Sequence, residues 1–313
     1  MSAATVQTKT KHPGSGLAGF QRKIAPYIFI SPFYISFLIF STFPIFFSLY
    51  LSFQKWNGIG EMTFVGFNNY IAILKDQLFW KSTLNTFGML FWTAIPQHFI
   101  GMSFAFILNQ GLVKFKEFFK GVMFVPYLTS SVAVAIVFSV IYGTQYGFMN
   151  YALRFIEPIL PIQLPIEWLR GYTTWFTLSS LTTWRWTGWN AIIYLAGLQA
   201  ISNSLYEAAR IDGATWWQIF TKITVPLLKP VIYFATTMTI IGNMQLFDEP
   251  MVMIGLQNRA MELRGNMGMS LAVYMYAWGF NWSRFGNACA TSYLIFLIIM
   301  VLSYINRKLF KEE

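Results

Sequence analysis

Charged side chains are scarce in this sequence: 11% of its 313 residues are Asp, Glu, Lys or Arg, while 56% are hydrophobic. A soluble domain carries about 25% charged residues, so that class is excluded. Acids are scarcer still, 12 against 22 Lys and Arg, for a net charge of +10. The single cysteine, Cys289, excludes an intrachain disulfide and is expected to be a small buried apolar residue. Only two histidines occur, His12 and His98, and there is no HExxH or G-x-S-x-G run, so neither a metal site nor a membrane-embedded hydrolase is expected. No GxxxxGK[ST] loop is present, so this chain does not bind or hydrolyse ATP by that route.

What the sequence has instead is long apolar runs. A hydrocarbon core of about 30 Å needs roughly 20 consecutive apolar residues per helix. Six stretches qualify, at 27–53, 86–108, 119–141, 174–201, 227–246 and 286–304. They are not the short alternating strands of an outer-membrane barrel, and the reading is an all-α polytopic membrane protein with six transmembrane helices. The basic residues lie beside these runs and form no single tract, which argues for a lipid bilayer and against nucleic acid. With both termini cytoplasmic, the inner segments hold Lys9, Lys11, Arg22, Lys23, Lys114, Lys116, Lys120, Arg210, Lys222, Lys229, Arg307, Lys308 and Lys311. The outer loops hold Lys55, Lys75, Lys81, Arg154, Arg170, Arg259, Arg264 and Arg284. Thirteen against eight favours that orientation.

Residues 1–25 read as a polar cytoplasmic tail and 26–313 as one membrane domain. A cleaved signal peptide fits less well, because the first apolar run exceeds the usual ~7–15 residues. Pro32 and Pro44 predict a bent first span. In "FVGFNNYIAILKDQLFWKS", Ile71, Leu74, Leu78 and Phe79 fall at helical spacing and suit a short interfacial helix. The loop over 143–172 carries Pro158, Pro161 and Pro165, which should stop regular structure.

One internal loop departs from the apolar pattern: "LYEAARIDGATWWQIF", residues 205–220. Two short helices fit it. Asn203 or Ser204 can cap the first, with Glu207 in its first turn where the helix dipole favours a negative charge. Gly213 permits the left-handed residue that reverses the chain, Thr215 can cap the second helix, and Pro226 should break it before the fifth span. An amphipathic connector lying on the membrane would show a similar pattern.

The run Glu207, Ala208, Ala209, then Gly213, Ile223 and Pro226 resembles the EAA loop of permease subunits of binding-protein-dependent ATP-binding cassette importers. Val225 stands where the family commonly has leucine. The extended form "LYEAARIDGATWWQIFTKITVPLLKP" resembles the carbohydrate-uptake branch, the maltose-permease type, and "FVGFNNY", "FVPYL" and "GNMQLFDEP" extend the likeness from about Pro26 onward. The resemblance implies a type I permease fold whose loop, 203–226, docks on a cytoplasmic ATPase subunit. Glu207, Ala208, Ala209, Asp212, Gly213 and Trp217 would make that coupling contact. It further implies a second homologous permease, two ATPase subunits carrying ATP and Mg, an extracellular solute-binding protein, and a place in the bacterial cytoplasmic membrane. This chain itself would need no cofactor and have no catalytic residue.

Polar side chains inside spans face a cavity or a partner. Span four offers Arg185, Trp186, Trp189 and Asn190, and span five ends in Asn243, Gln245, Asp248 and Glu249. Indole faces with amides suit a sugar, whose C–H faces pack on rings while its hydroxyls hydrogen-bond. Helix packing is the competing role for each, and Arg185 can pair with Asp248 or Glu249. The resemblance places the solute site at mid-membrane, which favours Asn190 and Asn243. His98 is expected to be a packing residue. The expected cargo is a sugar or oligosaccharide. Glycerol 3-phosphate or another polyol derivative is the alternative within the class, and an ion-coupled secondary transporter the alternative outside it.

Overall fold

A computed structural model describes residues 17–109, 114–159, 163–257 and 267–310. Most of the expected 1–25 tail lies outside these residues, as do Lys9, Lys11, Arg259, Arg264 and Lys311 from the orientation count. The chain divides into two units, 1–51 and 52–313. In the first, α1 (Leu17–Phe37) starts inside the stretch read as tail. It passes through a π-helical turn, Leu38–Thr42, into α2 (Phe43–Ser52). The π-turn ends two residues before Pro44. A proline ring collides with the carbonyl four residues back in a plain α-helix, and the wider turn relieves that collision.

The second unit opens with an antiparallel ribbon, β1 (Gln54–Lys55) paired with β2 (Thr63–Phe64). The expected interfacial helix is α3 (Asn68–Lys75). It stops at Asp76, whose side chain accepts from the Leu78 amide at 2.9 Å and the Tyr274 hydroxyl at 2.8 Å. That acceptor starts α4 (Gln77–Asn109) nine residues earlier than the apolar run suggested.

The third expected span is broken. Helices α5 (Lys116–Leu128) and α6 (Ser131–Ile141) meet at 92°. Thr129 and Ser130 are extended, and the Ser130 hydroxyl caps α6 by accepting from the Ala133 amide. Composition hid the break, because apolar residues continue on both sides.

Pro161 lies outside the described residues; those described in the 143–172 loop contain one helix, α7 (Phe148–Arg154), and a side chain that ties two of its segments together. Asn150 donates to the carbonyls of Thr144 and Ile166, both at 2.9 Å, and accepts from the Ile166 amide and Trp168 Nε1, both at 3.1 Å. Asn150→Ala should strand these groups at a cost of about 2 kcal/mol. Amide hydrogen exchange at Ile166 is expected to accelerate more than tenfold; unchanged protection would refute the role.

Helix α8 (Thr173–Gln199) packs along α4 through the middle of this unit. Then come α9 (Asn203–Ile211) and α10 (Trp216–Ile219), followed by a π-turn at Phe220–Thr224 and α11 (Val225–Met244). Here Pro226 does not break the helix as expected. The π-turn again ends two residues before the proline, and backbone helicity is continuous from Trp216 to Met244. Helix α12 (Asp248–Gln257), α13 (Leu271–Tyr276), a π-turn at Ala277–Asn281 and α14 (Phe285–Phe310) complete the unit.

Two buried apolar clusters hold these helices. One joins Phe79, Met89, Leu178, Met253, Tyr274 and Ile295; the other joins Ala105, Tyr194, Leu198 and Leu228. Among the described residues, Ile24–Ser52, Gln77–Asn109, Trp216–Gly255 and Phe285–Phe310 are long and apolar enough to cross a membrane. Counting the bent pair as one span makes five, against six expected. The span not recovered is α8, whose 27 residues give the necessary length, about 40 Å. Its Thr, Trp, Arg and Asn residues make it less apolar, and many of its side chains are buried against other helices.

Candidate functional site: a pocket between helices and a helix-turn-helix knob

Helices α4, α8, α11 and the turn into α12 enclose a cavity of about 200 Å³. Five expected residues line it: Arg185, Trp186, Trp189, Asn243 and Gln245. Successive turns of α8 present Arg185, Trp186 and Trp189 to one side. The two indole rings are edge-on at 6.0 Å, and Tyr127 of α5 backs Trp186 at 5.1 Å. Asn243 donates to the Thr239 carbonyl at 3.0 Å, while its Oδ1 is buried with no partner among the described residues. Gln97 of α4, which the sequence reading did not single out, donates to the Thr239 hydroxyl at 3.4 Å and leaves its own Oε1 unpartnered. A helical glutamine among apolar neighbours was the available signal. Buried polar atoms without partners are uncommon and call for an account; here three of them, Gln97 Oε1, Asn243 Oδ1 and Arg185 Nε, belong to residues that line the pocket.

Asn190 is not in the pocket. It is fully buried at the contact between α8 and α4, where a Cβ added at Gly101 would stand 3.2 Å from its own Cβ. It follows Trp189 by one residue, and the step of about 100° between successive helical residues turns it toward α4. Both of its amide atoms lack partners among the described residues.

The expected ion pair forms. Arg185 Nη1 lies 3.1 Å from Glu249 Oε1, and Nη2 donates to the Thr129 carbonyl at 3.4 Å. The Ser131 hydroxyl donates to Asp248 at 2.5 Å. Thus the break between α5 and α6 is tied on both sides to the pocket rim. His98 packs against Tyr194, with Nδ1 2.6 Å from the hydroxyl, while its Nε2 is buried with no partner among the described residues.

The knob is built as two helices around a left-handed turn. Gly213 has φ +75°, the Ala214 amide donates to the Ala209 carbonyl at 2.9 Å, and the Gly213 amide donates to Arg210 at 3.1 Å. This is the Schellman arrangement that ends helices at glycine. Thr215 and Gln218 exchange hydrogen bonds in a capping box at the start of α10. Three details differ from expectation. The N-cap of α9 is Ser202, so Glu207 falls in the second turn, and Ala209 is buried within the chain. Glu207, Ala208, Asp212 and Gly213 are exposed. Trp216 stacks on Phe220 at 5.8 Å and meets Phe106 of α4 at 5.3 Å, anchoring the knob, while Trp217 is 63% exposed. Ile211, not singled out from the sequence, is 85% exposed beside the turn.

Residues 97–311 match the family described as the binding-protein-dependent transport system inner membrane component. The chain belongs to this family. This inner membrane component is 36% identical to the arabinooligosaccharides transport system permease protein of Bacillus subtilis, covering 98% of this chain and 99% of that one. It is 34% identical to the lactose transport system permease protein of Rhizobium radiobacter, over 89% and 91% of the two chains. Its fold is shared with a chain in the crystal structure of a bacterial alginate ABC transporter in complex with an alginate pentasaccharide-bound periplasmic protein. That likeness has a TM-score of 0.75 at 20% identity, covering 94% and 96% of the two chains.

Proposed function

We propose that this permease carries a sugar or oligosaccharide inward across the bacterial cytoplasmic membrane by alternating access, as one half of a two-permease pathway. The observation that carries this is the pocket. It sets the Trp186 and Trp189 faces opposite Asn243, Gln97 and Gln245, matching the apolar faces and hydroxyl rim of a pyranose. At about 200 Å³ the cavity is smaller than the ~300–1,000 Å³ of ordinary ligand sites, in keeping with a second permease supplying the other wall. The names of the two relatives above, an arabinooligosaccharide and a lactose permease, support the cargo class.

In this reading the fold is the six-span, type I, maltose-permease arrangement with both termini cytoplasmic. The knob seats Glu207, Ala208, Asp212, Gly213, Trp217 and Ile211 on an ATPase subunit, and two such subunits carry ATP and Mg. A solute-binding protein delivers cargo from outside. The exposure of Trp217 and Ile211 supports a partner at the knob. Glycerol 3-phosphate fits less well, because the one pocket cation, Arg185, is already paired with Glu249. Reconstitution of the complex in proteoliposomes with ATP on the ATPase side should give uptake of labelled oligosaccharide. ATP-independent, ion-driven accumulation by this chain alone would defeat the proposal.

The knob has its own test. At φ +75° a β-branched residue costs about 1–2 kcal/mol in the left-handed region. No atom beyond its chain neighbours crowds a Cβ at Gly213, so Gly213→Val should distort the turn without disturbing packing. Uptake is expected to fall at least tenfold while ATP hydrolysis persists; normal uptake would reject the coupling role.

A further inference from the structure

The charged groups at the pocket discriminate among cargoes, an inference that rests on the sugar-path reading above. Three ionisable side chains line the cavity, Arg185, Asp248 and Glu249, so one cation faces two carboxylates. The cation is engaged at both terminal nitrogens, while its Nε is buried with no partner among the described residues. Its Nη1 contacts Glu249 Oε1 at 3.1 Å, and the Arg185 and Glu249 side chains are 17% and 5% exposed. Asp248 is held in place by the Ser131 hydroxyl and leaves its charge at the rim. The other polar lining groups, Gln97, Thr182, Thr239, Asn243 and Gln245, are neutral.

We infer that the pocket accepts neutral glycosides and rejects acidic ones, and that Glu249 imposes this selection by occupying the guanidinium a cargo carboxylate would need. Arg and carboxylate groups pair through charge-assisted hydrogen bonds, here a single one from Nη1. Glu249 is therefore an internal competitor, present at fixed geometry and with no entropy of association to lose. An incoming uronate or sugar phosphate has to displace it and leave a second carboxylate stranded. Asp248 adds like-charge repulsion. A neutral sugar meets neither obstacle and can satisfy the unpartnered Gln97 Oε1 and Asn243 Oδ1 with hydroxyl donors. Charge selection thus belongs to side chains at the α8–α12 contact and not to the fold.

The test uses the purified permease–ATPase complex without its solute-binding protein, because that protein screens cargo first. Binding of arabinotriose, which is neutral, and trigalacturonate, which carries three carboxylates, is measured by equilibrium dialysis. The wild-type complex should bind arabinotriose at least tenfold more tightly. Glu249→Gln keeps the side-chain volume but replaces the charged acceptor of Arg185 with a weaker, neutral one, so the gap should narrow tenfold or more. This ratio does not depend on how much of the preparation is active, and a merely structural residue would not move it. Should Glu249→Gln fail to assemble, Asp248→Asn carries the same test with an expected narrowing of about threefold. Equal affinity of the wild type for both probes overturns the inference, as does an unchanged gap in the variant. If arabinotriose does not bind the wild type at all, the sugar-path reading falls instead.

Discussion

Gly188→Leu is expected to leave almost no assembled protein. Gly188 of α8 sits directly under α5, and a Cβ there would overlap the Met123 carbonyl oxygen and stand 3.2 Å from the Phe124 amide nitrogen. The obstacle is backbone, so no rotamer change relieves it, and α5 has to move away from α8. Overpacking usually costs about 1–3 kcal/mol where side chains can yield. Here the two helix axes must separate, and a loss beyond about 4 kcal/mol follows, in the range reserved for core disruption. Gly121 provides an internal control, since a Cβ there meets nothing within 4 Å. Gly121→Ala should keep or slightly raise stability, as Ala is the better helix former by about 1 kcal/mol. The yield of monodisperse protein after detergent extraction separates the two. Recovery of Gly188→Leu at wild-type yield would show that α5 and α8 are not in this contact.

The second large effect is expected for Arg185→Leu. Removing one member of a buried pair strands the other charge, at about 3–5 kcal/mol. The stranded group is Glu249, 4% exposed. The double change Arg185→Leu with Glu249→Leu removes both charges and should recover most of that loss, because apolar replacements of buried pairs are often neutral or stabilising. Thermal unfolding of the two variants in one detergent measures the difference. If the double variant is no more stable than the single, the pair is not what holds α8 to α12. The Arg185 contact with the Thr129 carbonyl predicts a further signature, faster amide exchange at the α5–α6 break in the single variant.

The knob was legible in the sequence because its determinants are local. Gly213 needs a positive φ and Thr215 has Gln218 three residues on, so turn and cap follow from neighbours along the chain. The pocket was legible in part for a similar reason. Arg185, Trp186 and Trp189 fall within four residues on one helix, and any cavity at that depth collects them. Asn190 went astray because sequence gives its helical phase but not which neighbour occupies that phase. Only the packing of Gly101 against α8 answers that question.

The third span and Pro226 were misread through long-range and register effects. Apolar content is continuous across 119–141, while the turn at Thr129–Ser130 is secured by Arg185 and Asp248, more than 50 residues away in sequence. Pro226 was expected to end a helix. A π-turn beside a proline removes the collision that would otherwise break it. No composition rule announces that extra residue per turn.

The same uninterrupted rod from Trp216 to Met244 has a mechanical result. Its lower end carries the indoles that flank the knob, and its upper end carries Thr239 and Asn243. Pro226 and Pro230 have no N–H to donate, yet helical backbone runs through both, so a rotation imposed at one end is carried toward the other. With side-chain tips about 5–6 Å from the axis, a 20° twist sweeps the Asn243 amide through about 2 Å, enough to exchange one hydrogen-bonding partner for another.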